Sequence, residues 1–213
     1  MPEIKKFIRG FKRFRENYFG GNHELFGQLK QGQSPKAMVI ACSDSRVDPA
    51  ILLDCQPGDL FMVRNVANLV PPYEHGGGLH GVSTALEFGV TIIGVGHVIV
   101  LGHRQCGGVR ALMQGVPEKA SAEFIGRWVN IAARAKERVL AELPDAPPEV
   151  QCQACEEASV LVSMENLLTF PWIGERVRQG TLKLHGWYFD IESGSLLAYD
   201  PTCGRFEPLS LAA

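Results

Sequence analysis

The sequence lacks the features of a membrane-spanning, nucleic-acid-binding or disordered protein. It contains no apolar run of about 18 residues, and its longest apolar region, residues 89–101, is too short to span a bilayer. Lys and Arg number 21 against 23 Asp and Glu, so the net charge of -2 offers no strong positive field for nucleic acid. Hydrophobic residues make up 46% and charged residues 21% of the 213 residues, as in ordinary globular proteins. We therefore expect a folded protein with no membrane or nucleic-acid partner.

The sequence also has little that would mark an exported protein. Basic and apolar residues are interleaved within the first fifteen positions, but the apolar core of a secretory signal does not follow them. We therefore expect a cytoplasmic protein. Cysteines in that compartment are more often free thiols or metal ligands than disulfides. Six are present, at positions 42, 55, 106, 152, 155 and 203.

Residues 4–19 repeat apolar side chains at helical spacing and carry basic residues on the opposite face. This pattern predicts an amphipathic helix. Such a helix can pack against its own domain or a partner subunit, or it can lie on a membrane surface. Because Glu3 and Glu16 accompany the basic residues, we favour the protein contact.

Short apolar runs without alternation predict parallel strands that are buried on both faces. Four such strands are predicted, at residues 36–42, 60–63, 97–102 and 181–189, and a turn at Gly194 leads into a short strand at 196–199. Helical patterns occupy residues 79–94, 120–142 and 152–170, and the prolines at 144, 147 and 148 are assigned to a surface loop.

The alternation of strands and helices predicts an α/β fold, with a central, mainly parallel β-sheet flanked by helices. No linker or repeat divides the chain. We therefore expect a single domain over residues 1–213, with an N-terminal helical arm at 1–35 and an α/β core at 36–213.

Two strand ends carry side chains that can bind a metal. The first strand ends in Cys42, followed by Asp44 and Arg46, and the third strand ends at His103, three residues before Cys106. Ligands of open α/β sheets gather at the carboxyl ends of strands. Two thiolates and an imidazole suit Zn²⁺, and a Cys₂His set with an open fourth position is typical of catalytic zinc. The sequence therefore predicts a site for one zinc ion per chain.

The sequence does not decide which group is the fourth ligand of this site. Asp44 itself could be a metal ligand, or water could occupy the position. Arg46 can hold Asp44 by paired, charge-assisted hydrogen bonds, which would draw the carboxylate away from the metal. Asp44 would then accept a hydrogen bond from a zinc-bound hydroxide, as an orienter of the nucleophile.

Three segments resemble the signatures of the β-class carbonic anhydrases: residues 41–47 (ACSDSRV), 64–68 (RNVAN) and 102–108 (GHRQCGG). The similarity extends from about residue 7 to residue 199. The resemblance implies zinc ligands Cys42, His103 and Cys106 and a catalytic dyad of Asp44 and Arg46.

The resemblance also implies an activity and an assembly. The activity is the zinc-dependent, reversible hydration of CO₂ to bicarbonate and a proton. The assembly is a homo-oligomer with a dimer as its minimal unit, commonly enlarged to a tetramer. The N-terminal helical arm is expected to pack on the partner subunit, which agrees with the favoured interpretation of residues 4–19.

A substrate pocket follows from the same resemblance. Phe61 and Val66 are expected to line an apolar position for CO₂, together with Phe88, which stands where plant-like relatives have Tyr. Gln33 is expected to reach in from the neighbouring subunit and to hydrogen-bond a substrate oxygen. The backbone N–H of Gly107, near a helix start, is expected to meet developing negative charge.

The subtype can be predicted from one position. The bicarbonate-inhibited members of the family carry a Trp three residues before the first zinc cysteine, but this sequence has Val39 there. Although Arg64 of their anion site is present, we expect the plant-like, uninhibited subtype. His75, in a glycine-flanked loop, is interpreted as a solvent-exposed residue rather than a proton carrier. Cys152 and Cys155 are interpreted as incidental thiols on a helix.

Two other functions remain as alternatives. The same fold and metal could act on carbonyl sulfide or CS₂. A non-catalytic binding or sensor protein would instead close the zinc site with four protein ligands.

Overall fold

The computed structural model describes residues 2–21, 24–76, 80–116 and 123–209. It divides the chain into two compact units, Met1–Ser34 and Pro35–Ala213. The expected single domain, with its arm at 1–35 and core at 36–213, stays a prediction.

The first unit consists of helices α1 (Pro2–Phe19) and α2 (Glu24–Leu29). The helix predicted at residues 4–19 is therefore confirmed. The rings of Phe14, Tyr18 and Phe26 form an aromatic cluster, with centroids between 4.9 and 5.7 Å apart. These edge and tilted contacts are the favourable geometries for aromatic pairs, and they join the two helices.

The second unit contains a six-stranded sheet. Its strands are β1 (Ala37–Cys42), β2 (Leu60–Asn65), β3 (His97–His103), β4 (Lys183–Asp190), β5 (Ser195–Asp200) and β6 (Arg205–Pro208). The order across the sheet is β2-β1-β3-β4-β5-β6. The first four are parallel, whereas β5 and β6 are antiparallel. The predicted α/β fold with a mainly parallel sheet is confirmed.

The central strands are apolar on both faces because both faces are covered. Met38 and Ile40 of β1 join the core cluster that includes Val160, whereas Val39 and Ala41 join a smaller cluster on the other face of the sheet. All four of these β1 side chains have no exposed surface. Continuous burial explains why this strand shows no alternation of polar and apolar residues.

The helices of the second unit connect and cover the strands. They are α3 (Pro49–Leu52), α4 (Gly81–Glu87), α5 (Gly107–Gln114), α6 (Glu123–Val129), α7 (Ala133–Glu142), α8 (Pro148–Leu168) and α9 (Pro171–Arg178). A π-helical turn at Phe88–Ile93 extends α4, so the predicted helix at 79–94 is confirmed, apart from residue 79, which lies outside the described residues. Within the described part of the chain, no helix combines the length and apolarity needed to cross a membrane.

Two predicted helices differ from the structure. The one predicted at 120–142, of which residues 120–122 lie outside the described part, is divided by a 3₁₀ turn at Asn130–Ala132. The one predicted at 152–170 begins earlier, at Pro148. Proline suits the first helical position, where its fixed φ is helical and no N–H partner is needed. The prediction of a loop at Pro148 is therefore wrong.

Helix α8 approaches the sheet closely at Gly102 of β3. A Cβ atom at Gly102 would lie 2.5 Å from Cγ2 of Val160, which is too short for a real contact. Because Val160 is β-branched, its side chain has few other rotamers into which it could move. The glycine therefore sets the distance between α8 and the strand that ends at His103.

Candidate metal centre

The carboxyl ends of β1 and β3 bring three predicted ligands together. These neighbouring parallel strands end at the same edge of the sheet, with Cys42 as the last residue of β1 and His103 as the last of β3. Cys106 immediately precedes α5. One donor atom from each of the three side chains lies within 4.8 Å of the others, and all three side chains are buried. Each ligand thus comes from the end of a rigid element.

The histidine presents a free nitrogen to this cluster. Nδ1 of His103 lies 2.8 Å from the carbonyl oxygen of Arg104 and donates to it, because a carbonyl can only accept. Nε2 therefore carries the lone pair. It is buried and makes no hydrogen bond within the described part of the chain. A buried imidazole nitrogen without a partner is expected of a metal ligand whose other nitrogen is fixed by the backbone.

The two thiols are in direct contact. Sγ of Cys42 lies 3.9 Å from Sγ of Cys106. The hydrogen bond from Cys106 lowers the pKa of Cys42, whereas the same hydrogen bond and burial raise the pKa of Cys106. Two thiolates this close need a cation between them, and a bound metal deprotonates its coordinating thiols. The donor set therefore fits Zn²⁺.

A buried carboxylate holds the backbone of Cys106. Oε1 of Glu156, on α8, accepts a hydrogen bond of 2.8 Å from the Cys106 N–H, and Oε2 accepts one of 2.7 Å from the hydroxyl of Tyr188. Burial raises the pKa of Glu156, and these two hydrogen bonds oppose that shift. Glu156 is not among the residues predicted from the sequence. An acidic residue between Cys155 and Val160, on a helix that faces the sheet, would have indicated a buried carboxylate.

Asp44 and Arg46 form the predicted pair. Nη2 of Arg46 donates to Oδ2 of Asp44 at 2.8 Å, and its Nε donates to Oδ1 at 3.0 Å. Arg46 holds the pKa of Asp44 well below its usual range, mainly through these hydrogen bonds. Oδ2 of Asp44 also lies 4.0 Å from Nε2 of His103. The carboxylate is thus ionised and beside the donor set, but it is already engaged by Arg46.

Arg64 shapes the loop that follows β1. Its guanidinium donates to the carbonyl oxygens of Cys42, Asp44 and Val47 at 2.7 to 2.9 Å, and to a carboxylate oxygen of Asp48 at 3.0 Å. A planar fork of donors suits several acceptors at once. From the sequence, Arg64 is assigned only to a family signature and an anion site. Its role in holding the loop carbonyls is seen only in the structure.

The predicted pocket residues are only partly brought together. The rings of Phe61 and Phe88 stack with centroids 5.9 Å apart, and Phe88 is 45% exposed. Val66, 42% exposed, begins a 3₁₀ turn (Val66–Asn68) that lies close to Gly108 in the first turn of α5. Gly107 is the first residue of α5, as expected of an N–H near a helix start. Gln33 lies exposed in the first unit, and its role in a neighbouring subunit stays a prediction.

Other predicted features have no part in this cluster. His75 is exposed, and its Nδ1 lies 3.4 Å from the hydroxyl of Tyr73, in keeping with the interpretation as a loop residue. Cys152 and Cys155 lie on α8 as predicted. Their thiols are free, as are those of Cys55 and Cys203.

Comparison with known proteins gives consistent matches. A family model described as carbonic anhydrase matches residues 37–196. The chain is 46% identical over 181 residues to Beta carbonic anhydrase 5, chloroplastic, of Arabidopsis thaliana, an alignment that covers 85% of this chain and 60% of that protein. It is 39% identical over 200 residues to Beta carbonic anhydrase 3 of the same plant, covering 92% and 76% of the two chains. The chain thus spans less than two thirds of the first relative.

A solved structure, that of the β-carbonic anhydrase CcaA, has the same fold. The TM-score is 0.92 at 33% sequence identity, and the match covers 100% of this chain and 94% of the other. The family model covers the strands and loops that carry the Cys42, His103 and Cys106 cluster. The chain therefore belongs to the β-carbonic anhydrase family.

Proposed function

We propose that the chain catalyses the reversible hydration of CO₂ to bicarbonate and a proton, with one zinc ion held by Cys42, His103 and Cys106. One observation carries the proposal: a buried Cys₂His donor set lies beside a carboxylate that Arg46 keeps engaged. Three protein ligands with an open position are typical of catalytic zinc, whereas four closed ligands are typical of structural zinc. The pairing of Asp44 with Arg46 supports the enzyme over the sensor protein.

The residues around the donor set have separate tasks. When bound, zinc supplies Lewis-acid activation of water and so provides a nucleophile near neutral pH. Asp44 accepts a hydrogen bond from the attacking water and directs its lone pair toward the carbon of CO₂. Arg46 keeps Asp44 ionised and in place. The N–H of Gly107, at the start of α5, meets the negative charge that develops on the substrate oxygen.

The predicted pocket residues are apolar, which suits an uncharged substrate. Within one chain Phe61 pairs with Met38, four residues before Cys42 in β1. Phe61, Val66 and Phe88 line the CO₂ position in this proposal. Val66 and Phe88 are half-exposed, which supports a pocket that a second subunit completes. Gln33 of the partner subunit would hydrogen-bond a substrate oxygen there.

A stopped-flow assay with a pH indicator tests the activity. Protein with one zinc ion per chain should acidify a CO₂ solution far faster than buffer alone. A fully zinc-loaded protein without activity would contradict the proposal. The same instrument with carbonyl sulfide or CS₂ as substrate tests the alternative substrates.

We also propose the plant-like subtype that bicarbonate does not inhibit. Val39 is fully buried within the sheet, three residues before Cys42. Arg64 is held by hydrogen bonds to the loop carbonyls and to Asp48, which supports a structural role rather than anion binding. Cooperative inhibition of CO₂ hydration by added bicarbonate would contradict this subtype.

The cytoplasmic location expected from the sequence stays a prediction, since one relative is named as chloroplastic. The absence of nucleic-acid and membrane partners also stays a prediction. Fractionation of cells that produce the protein tests its location directly.

We further propose a homo-oligomer, with a dimer as minimal unit and a tetramer as the assembled form. Several apolar side chains of α1 are exposed in the single chain, including Phe7 (67%), Ile8 (63%) and Phe11 (63%). Exposed apolar patches of this kind mark protein contacts. They support the packing of the N-terminal arm on a partner subunit.

Acidic substitutions on α1 should weaken this assembly. With Phe7→Asp and Phe11→Asp together, we expect the solution mass to fall to a smaller species, because charges would have to be buried in the interface. Light scattering coupled to size-exclusion chromatography measures the mass. Leu140→Asp, an equally drastic change at a half-exposed position outside the arm, is the control and should leave the mass unchanged. An unchanged mass in the arm variant would exclude this role for α1.

A further inference from the structure

Gln105 has an uncommon backbone conformation between two predicted zinc ligands. Its φ is +60°, in the left-handed region that residues other than glycine rarely adopt. In this conformation its carbonyl oxygen accepts a hydrogen bond of 3.0 Å from Nη2 of Arg46, and its Oε1 accepts one of 3.3 Å from Nη1. Arg46 is therefore held on two sides, by Asp44 and by Gln105. Strained residues of this kind cluster at functional sites.

The amide of Gln105 is itself oriented from the hairpin between β4 and β5. Its Nε2 donates to Oε1 of Glu192 at 2.7 Å, and Oε2 of Glu192 pairs with Nη2 of Arg104 at 3.0 Å. A carboxylate only accepts, so Glu192 selects the orientation in which the amide nitrogen faces it. The amide oxygen then faces Arg46. The opposite orientation would set the amide N–H groups against the guanidinium donors.

We propose that Gln105 and Glu192 are positioning residues for the Asp44–Arg46 pair. Glu192 orients the amide of Gln105, the amide holds the guanidinium of Arg46, and the guanidinium holds the carboxylate of Asp44. The inference rests on the proposed function, because it assigns the chain of contacts a catalytic consequence. It also makes the β4–β5 hairpin part of the active site.

The exposure of these residues separates a positioning role from a stabilising one. The side chains of Arg46 and Glu192 are 46% and 49% exposed. Exposed polar contacts contribute little to the free energy of unfolding. A small error in the position of a group that orients the nucleophile nevertheless lowers the rate. Variants of Gln105 and Glu192 should therefore lose activity without losing stability.

A double-mutant cycle tests the proposal on zinc-loaded, full-length protein. We expect Gln105→Ala to lower kcat/KM about tenfold and Glu192→Ala about fivefold. Because the two residues act in series, the double variant should be no slower than Gln105→Ala alone, instead of showing the product of the two losses. Zinc content and melting temperature should match the wild type in all three variants.

Two further variants identify what Glu192 contributes. Glu192→Gln retains an oxygen that can accept from Gln105, so its kcat/KM should stay within about twofold of the wild type. Glu142→Ala removes a glutamate that is also paired with an arginine, Arg138, and it should have no effect. The Glu192 variants carry the test by themselves if Gln105→Ala fails to fold.

The results distinguish failure of the inference from failure of the proposed function. A zinc-loaded wild type that does not hydrate CO₂ would overturn both. An active wild type overturns the inference alone if Gln105→Ala and Glu192→Ala retain full activity. Losses that multiply in the double variant, or that come with a fall in melting temperature, would also overturn it.

Discussion

Asp44→Asn should lower kcat/KM for CO₂ hydration by about 100-fold or more while the zinc content stays at that of the wild type. The carboxylate of Asp44 accepts hydrogen bonds from Nε, Nη2 and the backbone N–H of Arg46, and both of its oxygens are used. An amide has one acceptor oxygen and would turn N–H groups toward either Arg46 or the attacking water. The nucleophile would lose its oriented acceptor. Stopped-flow kinetics and elemental analysis of the same samples measure the two quantities.

Asp59→Asn is the matched control for this variant. Asp59 precedes β2, at the amino end of the strand, and accepts a hydrogen bond from the N–H of Gln56. Its substitution should leave the activity unchanged. Full activity in Asp44→Asn would exclude the orienting role. Loss of zinc in proportion to the lost activity would instead identify Asp44 as a metal ligand.

The strands of the central sheet could be predicted because burial on both faces requires a continuous run of apolar residues. The runs predicted at 36–42 and 97–102 correspond to Ala37–Cys42 and His97–His103. A strand covered on both faces has an apolar interior, so polar residues mark its limits. His97 and His103 stand at the two ends of β3, and Ser43 follows β1. Two of the candidate ligands, Cys42 and His103, could be predicted for the same reason, since they stand at those limits.

The last strand of the sheet has a weaker sequence pattern. Strand β6 (Arg205–Pro208) was not predicted, and three of its four residues are polar or proline. Among the described residues it pairs with β5 alone, as an edge strand, and such strands are short and partly exposed. The pairing follows from the turn at Gly204, whose φ of +73° reverses the chain, rather than from an apolar pattern.

The supporting residues of the site could not be predicted, because their contacts arise from packing. Glu156 reaches the N–H of Cys106 across 50 positions of sequence, and Glu192 reaches Gln105 across 87. The first contact requires α8 to lie against β3, which Gly102 permits. The second requires the β4–β5 turn to lie beside the end of β3, which follows from the parallel pairing of β3 with β4. Neither approach is visible in local composition.

Cys106→Ser should lower both the zinc content and the free energy of unfolding, because Cys106 is central to these contacts. Cys106 is 1% exposed, touches Cys42 and is held through its N–H by Glu156. A neutral hydroxyl is a much poorer zinc ligand than a thiolate. We therefore expect the affinity for zinc to fall about 100-fold or more. Metal that binds only the folded state stabilises it by mass action, and a 100-fold loss of affinity corresponds to about 2.7 kcal/mol in the free energy of unfolding. Elemental analysis and thermal unfolding with and without a chelator measure both effects, and the chelator should destabilise the wild type more than the variant.

Cys203→Ser, at an exposed cysteine outside the cluster, is the control and should change neither quantity. Undiminished zinc in Cys106→Ser would remove Cys106 from the ligand set, and the proposed activity would lose its metal site.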